Sequence, residues 1–144
     1  MQYLRIALLI LLVSGCSPGA AIDAIPDAEA LAEQFFDDFK LGSFGKTVDL
    51  YDDQFWEDMP KDIWTKALPN LHNKLGPIES CELANWSQST SATTSGSGNF
   101  VFLVYQCRHT KYESTIRFTV LKPLSGGESK ILSQNISSIG LLLE

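Results

Sequence analysis

Histidine is scarce in this chain, and the usual arrangements of nucleophilic and metal-binding residues are missing. His72 and His109 are the only two histidines. No His-x-x-x-His or Cys-x-x-Cys spacing occurs, so the paired ligands of a zinc site are absent and no metal or other cofactor is expected. Serine is abundant, but none lies in Gly-x-Ser-x-Gly, the strained elbow that presents a nucleophile. Without a base placed beside a nucleophile, a catalytic triad has no support. Basic residues are also few, 11 against 17 acidic. An acidic surface repels phosphate backbones, which argues against nucleic acid as a partner, and leaves no basic patch for anionic lipid. Long apolar runs are lacking too. The longest, Ile6 to Val13, has eight residues, where a membrane-spanning helix needs roughly 20.

That short run nonetheless carries information. Arg5 precedes it and the small residues Ser14 and Gly15 follow, the three-part pattern of a secretory signal peptide over residues 1–15. Val13-Ser14-Gly15-Cys16 resembles the bacterial lipobox. The resemblance implies cleavage before Cys16, a diacylglyceryl group on its thiol and a further acyl chain, such as palmitate, on its amine. Several chains together anchor far better than one, at about 0.8 kcal/mol per buried methylene. Ser17, rather than aspartate, follows the cysteine, which leans towards the outer membrane of a Gram-negative envelope, facing the periplasm. Arg5 is the only charged residue in the signal, so the mature chain has 10 basic residues against 17 acidic, a net of −7.

Residues 16–26 then read as the lipidated Cys16 and a tether, because Pro18, Gly19 and Pro26 oppose regular structure. Residues 27–144 suit one α+β domain. Asp27 is placed to cap a helix ending at Gly42, with Ala28, Leu31, Ala32, Phe35, Phe36 and Phe39 on one stripe. A shorter helix is expected over 44–52. A third is expected over 60–75, with Trp64, Ala67, Leu68, Leu71 and Leu75 inward and a kink at Pro69. The period then changes to two, giving strands at 78–86, 99–109, 113–122 and 129–138. Residues 100–105 are apolar on both faces, which fits a strand covered on both sides or one with a wet but greasy second face. Ser87 to Gly98 reads as a mobile loop, Ser125-Gly126-Gly127 as a tight turn, and Leu141-Leu142-Leu143 as a packed strand end. Cys81 and Cys107 fall at comparable distances from the loop between the first two strands. In an oxidising compartment they are expected to form a disulfide across the ladder.

Helices followed by hairpin-connected strands define an α+β class with an antiparallel sheet. The order of a Phe-rich helix, Tyr51-Asp52-Asp53-Gln54-Phe55-Trp56, a Trp64 helix ending in Leu75-Gly76-Pro77, and four strands resembles the nuclear transport factor two-like, or cystatin-like, superfamily. It is similar to secreted members of unknown function. The resemblance covers 27–138, although Ile131-Leu132-Ser133-Gln134 lacks the tryptophan many relatives carry there. It implies three helices on the concave face of a curved four-stranded sheet, a cone whose cavity can hold a ligand, and sheet edges that can pair into a homodimer. In some relatives that cavity is an isomerase or dehydratase site with an aspartate or histidine base and a tyrosine donor. Asp49, Tyr51, Tyr105 and His109 are the candidates of that type here, with no spacing that singles them out. A buried Asp or His beside a Tyr would favour the enzyme; filling of the cavity by Phe35, Phe39, Trp64 and Phe102 would rule out a ligand there.

The acidic run Asp49, Asp52, Asp53, Glu57, Asp58 and Asp62 lacks the calcium-loop pattern and reads as a solvated surface. Trp56, Trp64 and Trp86 read as core aromatics, with an aromatic-lined pocket as the functional alternative. The sequons at Asn85 and Asn135 carry no meaning in a bacterial lipoprotein. The expected function is a noncatalytic, lipid-anchored cell-envelope protein that binds another envelope protein. Small apolar-ligand binding in the cone and isomerase-type catalysis are the alternatives.

Overall fold

The computed structural model describes residues 23–93 and 96–143. The signal peptide, Cys16 and most of the expected tether lie outside the described residues. The first helix, α1, spans Ile25–Leu41 and so begins before Asp27, with Pro26 in its first turn, where a missing N–H costs nothing. Its N-cap is Ala24, not Asp27. Ala28, Ala32, Phe35, Phe36 and Phe39 form the buried stripe, and Gly42 ends the helix at φ +72°.

A 3-10 helix, Phe44–Leu50, replaces the expected second α-helix. The next helix, α2 at Asp53–Asp58, was not anticipated. The Asp52 carboxylate caps it by accepting from Gln54 N at 3.0 Å. Helix α3 runs Lys61–Leu75 straight through Pro69 without interruption. Buried Trp64 and Leu68 before the proline and Leu75 after it hold both halves against the core, and that packing offsets the backbone bond the proline removes.

Four antiparallel strands follow in the order β1-β2-β3-β4: Ile78–Thr93, Gly96–His109, Glu113–Pro123 and Lys130–Ser137. Within the expected loop at Ser87–Gly98, the described residues 87–93 and 96–98 are instead strand, pairing from Ser87↔Phe102 to Thr93↔Gly96. Its serines and threonines are β-compatible, and Thr90 Oγ1 donates to Asn99 Oδ1 across the ladder at 2.6 Å. Gly98 permits close approach to β3, because a Cβ there would lie 2.5 Å from the Lys122 carbonyl oxygen. The C-terminus also differs from expectation. Ile139–Leu141 is a short 3-10 helix, while Leu142 and Leu143 are exposed, so the leucine run is not a packed strand end.

The helices cover one face of the sheet. On β2, Val101, Leu103, Tyr105 and Cys107 point into the core with Ile116, Phe118 and Val120 of β3. Phe102, between them, points the other way and is 41% exposed. The apolar run is therefore a strand with one dry face and one greasy, wet face.

Cys81 and Cys107 are directly opposed in register, with Cα atoms 4.1 Å apart and sulfurs bonded at 2.06 Å. Closing a loop of sequence separation 26 restricts the unfolded chain. Replacing both cysteines by alanine should cost about 2–4 kcal/mol in urea unfolding; an unchanged midpoint would contradict this role. Gly76, at φ +85°, is equally constrained, since a Cβ would fall 1.9 Å from Thr110 Oγ1. Gly76→Ala should therefore destabilise by about 2 kcal/mol or more, and a loss below about 0.5 kcal/mol would show that the turn relaxes freely.

Candidate functional site

The space between α1 and the sheet is filled. The Phe35 ring contacts Phe36, Phe39 and Phe118 at centroid distances of 6.2, 5.9 and 5.8 Å. Phe36 stands edge-on to Tyr105 at 4.9 Å. Phe35 and Phe39 are essentially inaccessible, and Trp64 is 7% exposed. Of the four residues expected to plug a cavity, three do so; the fourth, Phe102, lies on the opposite face, and Phe118 and Phe36 take its place.

The four candidates for acid–base chemistry are dispersed. Asp49 is exposed. Tyr51 is buried beside Phe55, Trp56 and Trp64, and its hydroxyl donates to Gln134 Oε1. Burial pushes the Tyr51 phenol well above its ordinary pKa, with the Trp64 indole N–H a smaller opposing influence. The Trp64 nitrogen reaches no partner at full hydrogen-bond geometry. Tyr105 sits under Phe36, pushed up to about 12 by burial and by the carboxylates of Glu29 and Glu33. Neither phenol is poised to exchange a proton near neutral pH. Among the described residues one carboxylate is buried, Asp38 on α1, which accepts from Gln34 Nε2 at 3.2 Å. The helical spacing places it beside Phe35 and Leu31, three and seven residues earlier, at the border of the apolar stripe.

His109 has the more suggestive geometry. Its Nδ1 lies 2.9 Å from the Gly76 carbonyl oxygen and its Nε2 2.7 Å from Ser114 Oγ. A carbonyl only accepts, so Nδ1 carries the proton and Nε2 accepts from the serine. This is the wiring of a serine–histidine pair, but both residues are enclosed, at 4% and 3% exposure. Each nitrogen is satisfied, and Phe39 stands edge-on to the ring at 5.9 Å. The pair ties the β2–β3 turn to the end of α3 as a structural clamp. Ser114 could not have been found in the sequence, because its partnership with His109 exists only across the β2–β3 turn.

The open surface lies where α2 meets the β4 edge and the outer face of β2. A groove of about 470 Å³ is lined by Phe55 and Met59 from the α2 region, Phe100 and Phe102 from β2, and Leu132 and Gln134 from β4. Its volume falls in the range of small-ligand sites, and Gln54, Asp58, Thr119 and Ser133 complete the lining, so that half of it is polar. Trp64 is core as expected, Trp56 is half-buried with Lys61 Nζ 5.5 Å from its ring centroid, and Trp86 is 54% exposed. Apart from half-buried Asp52, the acidic run is exposed. Compared with family models, curated proteins and solved structures, the chain gives no significant match, which leaves the chemistry of its own residues as the guide to function.

Burial is the first cause holding the His109 pKa below its ordinary 6.5, opposed by the Gly76 carbonyl and helped by His72. The unfolded histidine then takes up its proton before the folded one does. Stability should be fully present above about pH 6.5 and fall as pH drops below it. His109→Gln should flatten that fall between pH 7 and 5.5 in urea titrations; an identical slope in the variant would remove His109 from the pH response.

Proposed function

We propose that this chain is a noncatalytic, lipid-anchored cell-envelope protein that binds an envelope protein partner through the outer face of its sheet. One observation carries the binding surface. Phe102 and Phe100 stand in an open groove of mixed polarity, while the rings of α1 and the sheet pack the opposite face solid. Large exposed aromatics with half-buried neighbours are the residues that dominate protein association. The engaged tyrosines and the enclosed His109 speak against acid–base catalysis. Support for the anchor is the lipobox-like run ending at Cys16, which would raise the local concentration of the domain at its membrane. A second reading is favoured by the groove's volume: an uncharged apolar small molecule bound in the same groove.

Two measurements test the proposal. Cys16→Ala should move the protein from the membrane to the soluble fraction with its domain folded; undiminished membrane retention would contradict the anchor. A photoreactive phenylalanine analogue at position 102 should give one discrete protein crosslink in intact envelopes, and the same analogue at exposed Glu57 should not. Equal yields at the two positions would refute the outer face as a specific binding surface.

A further inference from the structure

The domain's orientation on its membrane follows from where the chain enters it. Ala24 N donates to Gln88 Oε1 at 3.4 Å, so α1 starts over the β1 edge of the sheet. Trp86 precedes Gln88 by two residues on that strand, about 7 Å away along it. It lies opposite Leu103, on the face that α1 covers, yet is 54% exposed. Cys16 is seven residues before Asp23. Seven residues span at most about 25 Å, which is less than the roughly 35 Å width of a domain this size. Only surfaces near the start of α1 can therefore turn towards the lipid.

Exposed apolar side chains off the groove are Leu41, Ile63, Leu124, Trp86 and the C-terminal group Ile139, Leu142 and Leu143. Trp86 is the one on the strand that holds the start of α1, and the C-terminal group is the largest cluster. Ile139, Leu142 and Leu143 follow β4 and sit near Glu113. Glu113 is seven residues along β3 from Val120, which shares a row with Gln88. That is about 23 Å along the strands, with two or three strands to cross as well, at or beyond a fully taut tether. Trp86 is well inside the limit. Residues 83–107 also contain no Asp, Glu, Lys, Arg or His in an otherwise acidic chain, so β1 carries no ionic group from Leu83 onward, and its polar side chains and free edge suit the hydrated headgroup level. Tryptophan is favoured at the headgroup level, where its ring is half-solvated and its N–H bonded.

We infer that the Trp86 side of β1 docks on the bilayer that holds Cys16, with the indole at the headgroup interface of a zwitterionic lipid surface. Glu29 and Glu33, both of which act on Tyr105, border this side and disfavour anionic headgroups. The groove around Phe102 opens on the other face of the sheet and stays free for a partner. The inference rests on the anchored reading above.

The test uses the protein as processed by the cell, reconstituted in phosphatidylcholine vesicles brominated near the carbonyl end of the acyl chains. Tryptophan emission should be partly quenched in the wild type. In Trp86→Phe the remaining emission, from Trp56 and Trp64, should be unquenched. In Leu142→Ser the wild-type quenching should persist, and admixed phosphatidylglycerol should reduce it. Acylated protein that shows no quenching, or equal fractional quenching in Trp86→Phe, would overturn the orientation while leaving the anchor standing. A Trp86 emission equally blue in the unacylated Cys16→Ala protein, free of both lipid and detergent, would assign the residue to a protein contact instead, and would also overturn it. The mass of the same sample reports Cys16, and an unmodified thiol would overturn anchor and orientation together.

Discussion

The contact on which the domain depends is the seating of three phenylalanines of α1 against three rings of the sheet. Phe35 and Phe36 reach the sheet through Phe118 and Tyr105, and Phe39 reaches it through His109. Truncating a buried phenylalanine typically costs about 3–5 kcal/mol, a large share of the 5–15 kcal/mol that stabilises an ordinary domain. The same rings that hold helix to sheet occupy the space in which a ligand could have sat. Stability and an internal site compete for one volume, and here stability takes it. The proposed recognition therefore rests on the surface, where the greasy outer face of β2 is exposed at Phe102.

A second, polar lock works beside the aromatic one. Gly76 leaves α3 with its carbonyl on His109, His109 accepts from Ser114, and Cys107 next to them in the sheet bonds Cys81. Each of these groups would be costly if buried alone. Together they are satisfied and fix how the helical half meets the sheet. A serine bonded to a neutral histidine is a catalytic pair only where substrate can reach it. Enclosed at 4% and 3% exposure, the same atoms serve as structure.

Elements with a strong local period were legible in the sequence. The α1 stripe follows from the spacing of its alanines and phenylalanines, and the half-buried β3 from strict alternation at Ile116, Phe118 and Val120. The opposition of Cys81 and Cys107 followed from their similar distances to the hairpin end. Elements decided by tertiary context were not legible. A Ser/Thr-rich stretch carries little apolar period, so the outer half of the β1–β2 hairpin resembled a loop until its partner strand supplied the ladder. Helix α2 is too short to show a period, and Pro69 sits mid-helix only because packing on both sides retains it. The face taken by Phe102 was ambiguous because residues 100–105 are apolar on both sides; only the position of α1 decides which face is dry. That ambiguity is why the interior drew the functional expectation and the outer groove did not.

Binding of an uncharged apolar fluorescent probe, compared across Phe102→Glu and Phe36→Leu, tests most directly whether recognition sits on the outer face or inside. Loss of probe binding in Phe102→Glu, with affinity in Phe36→Leu kept near the wild-type value, is the expected result. Binding that survives Phe102→Glu and changes severalfold on Phe36→Leu would place the site between helix and sheet and contradict a filled interior.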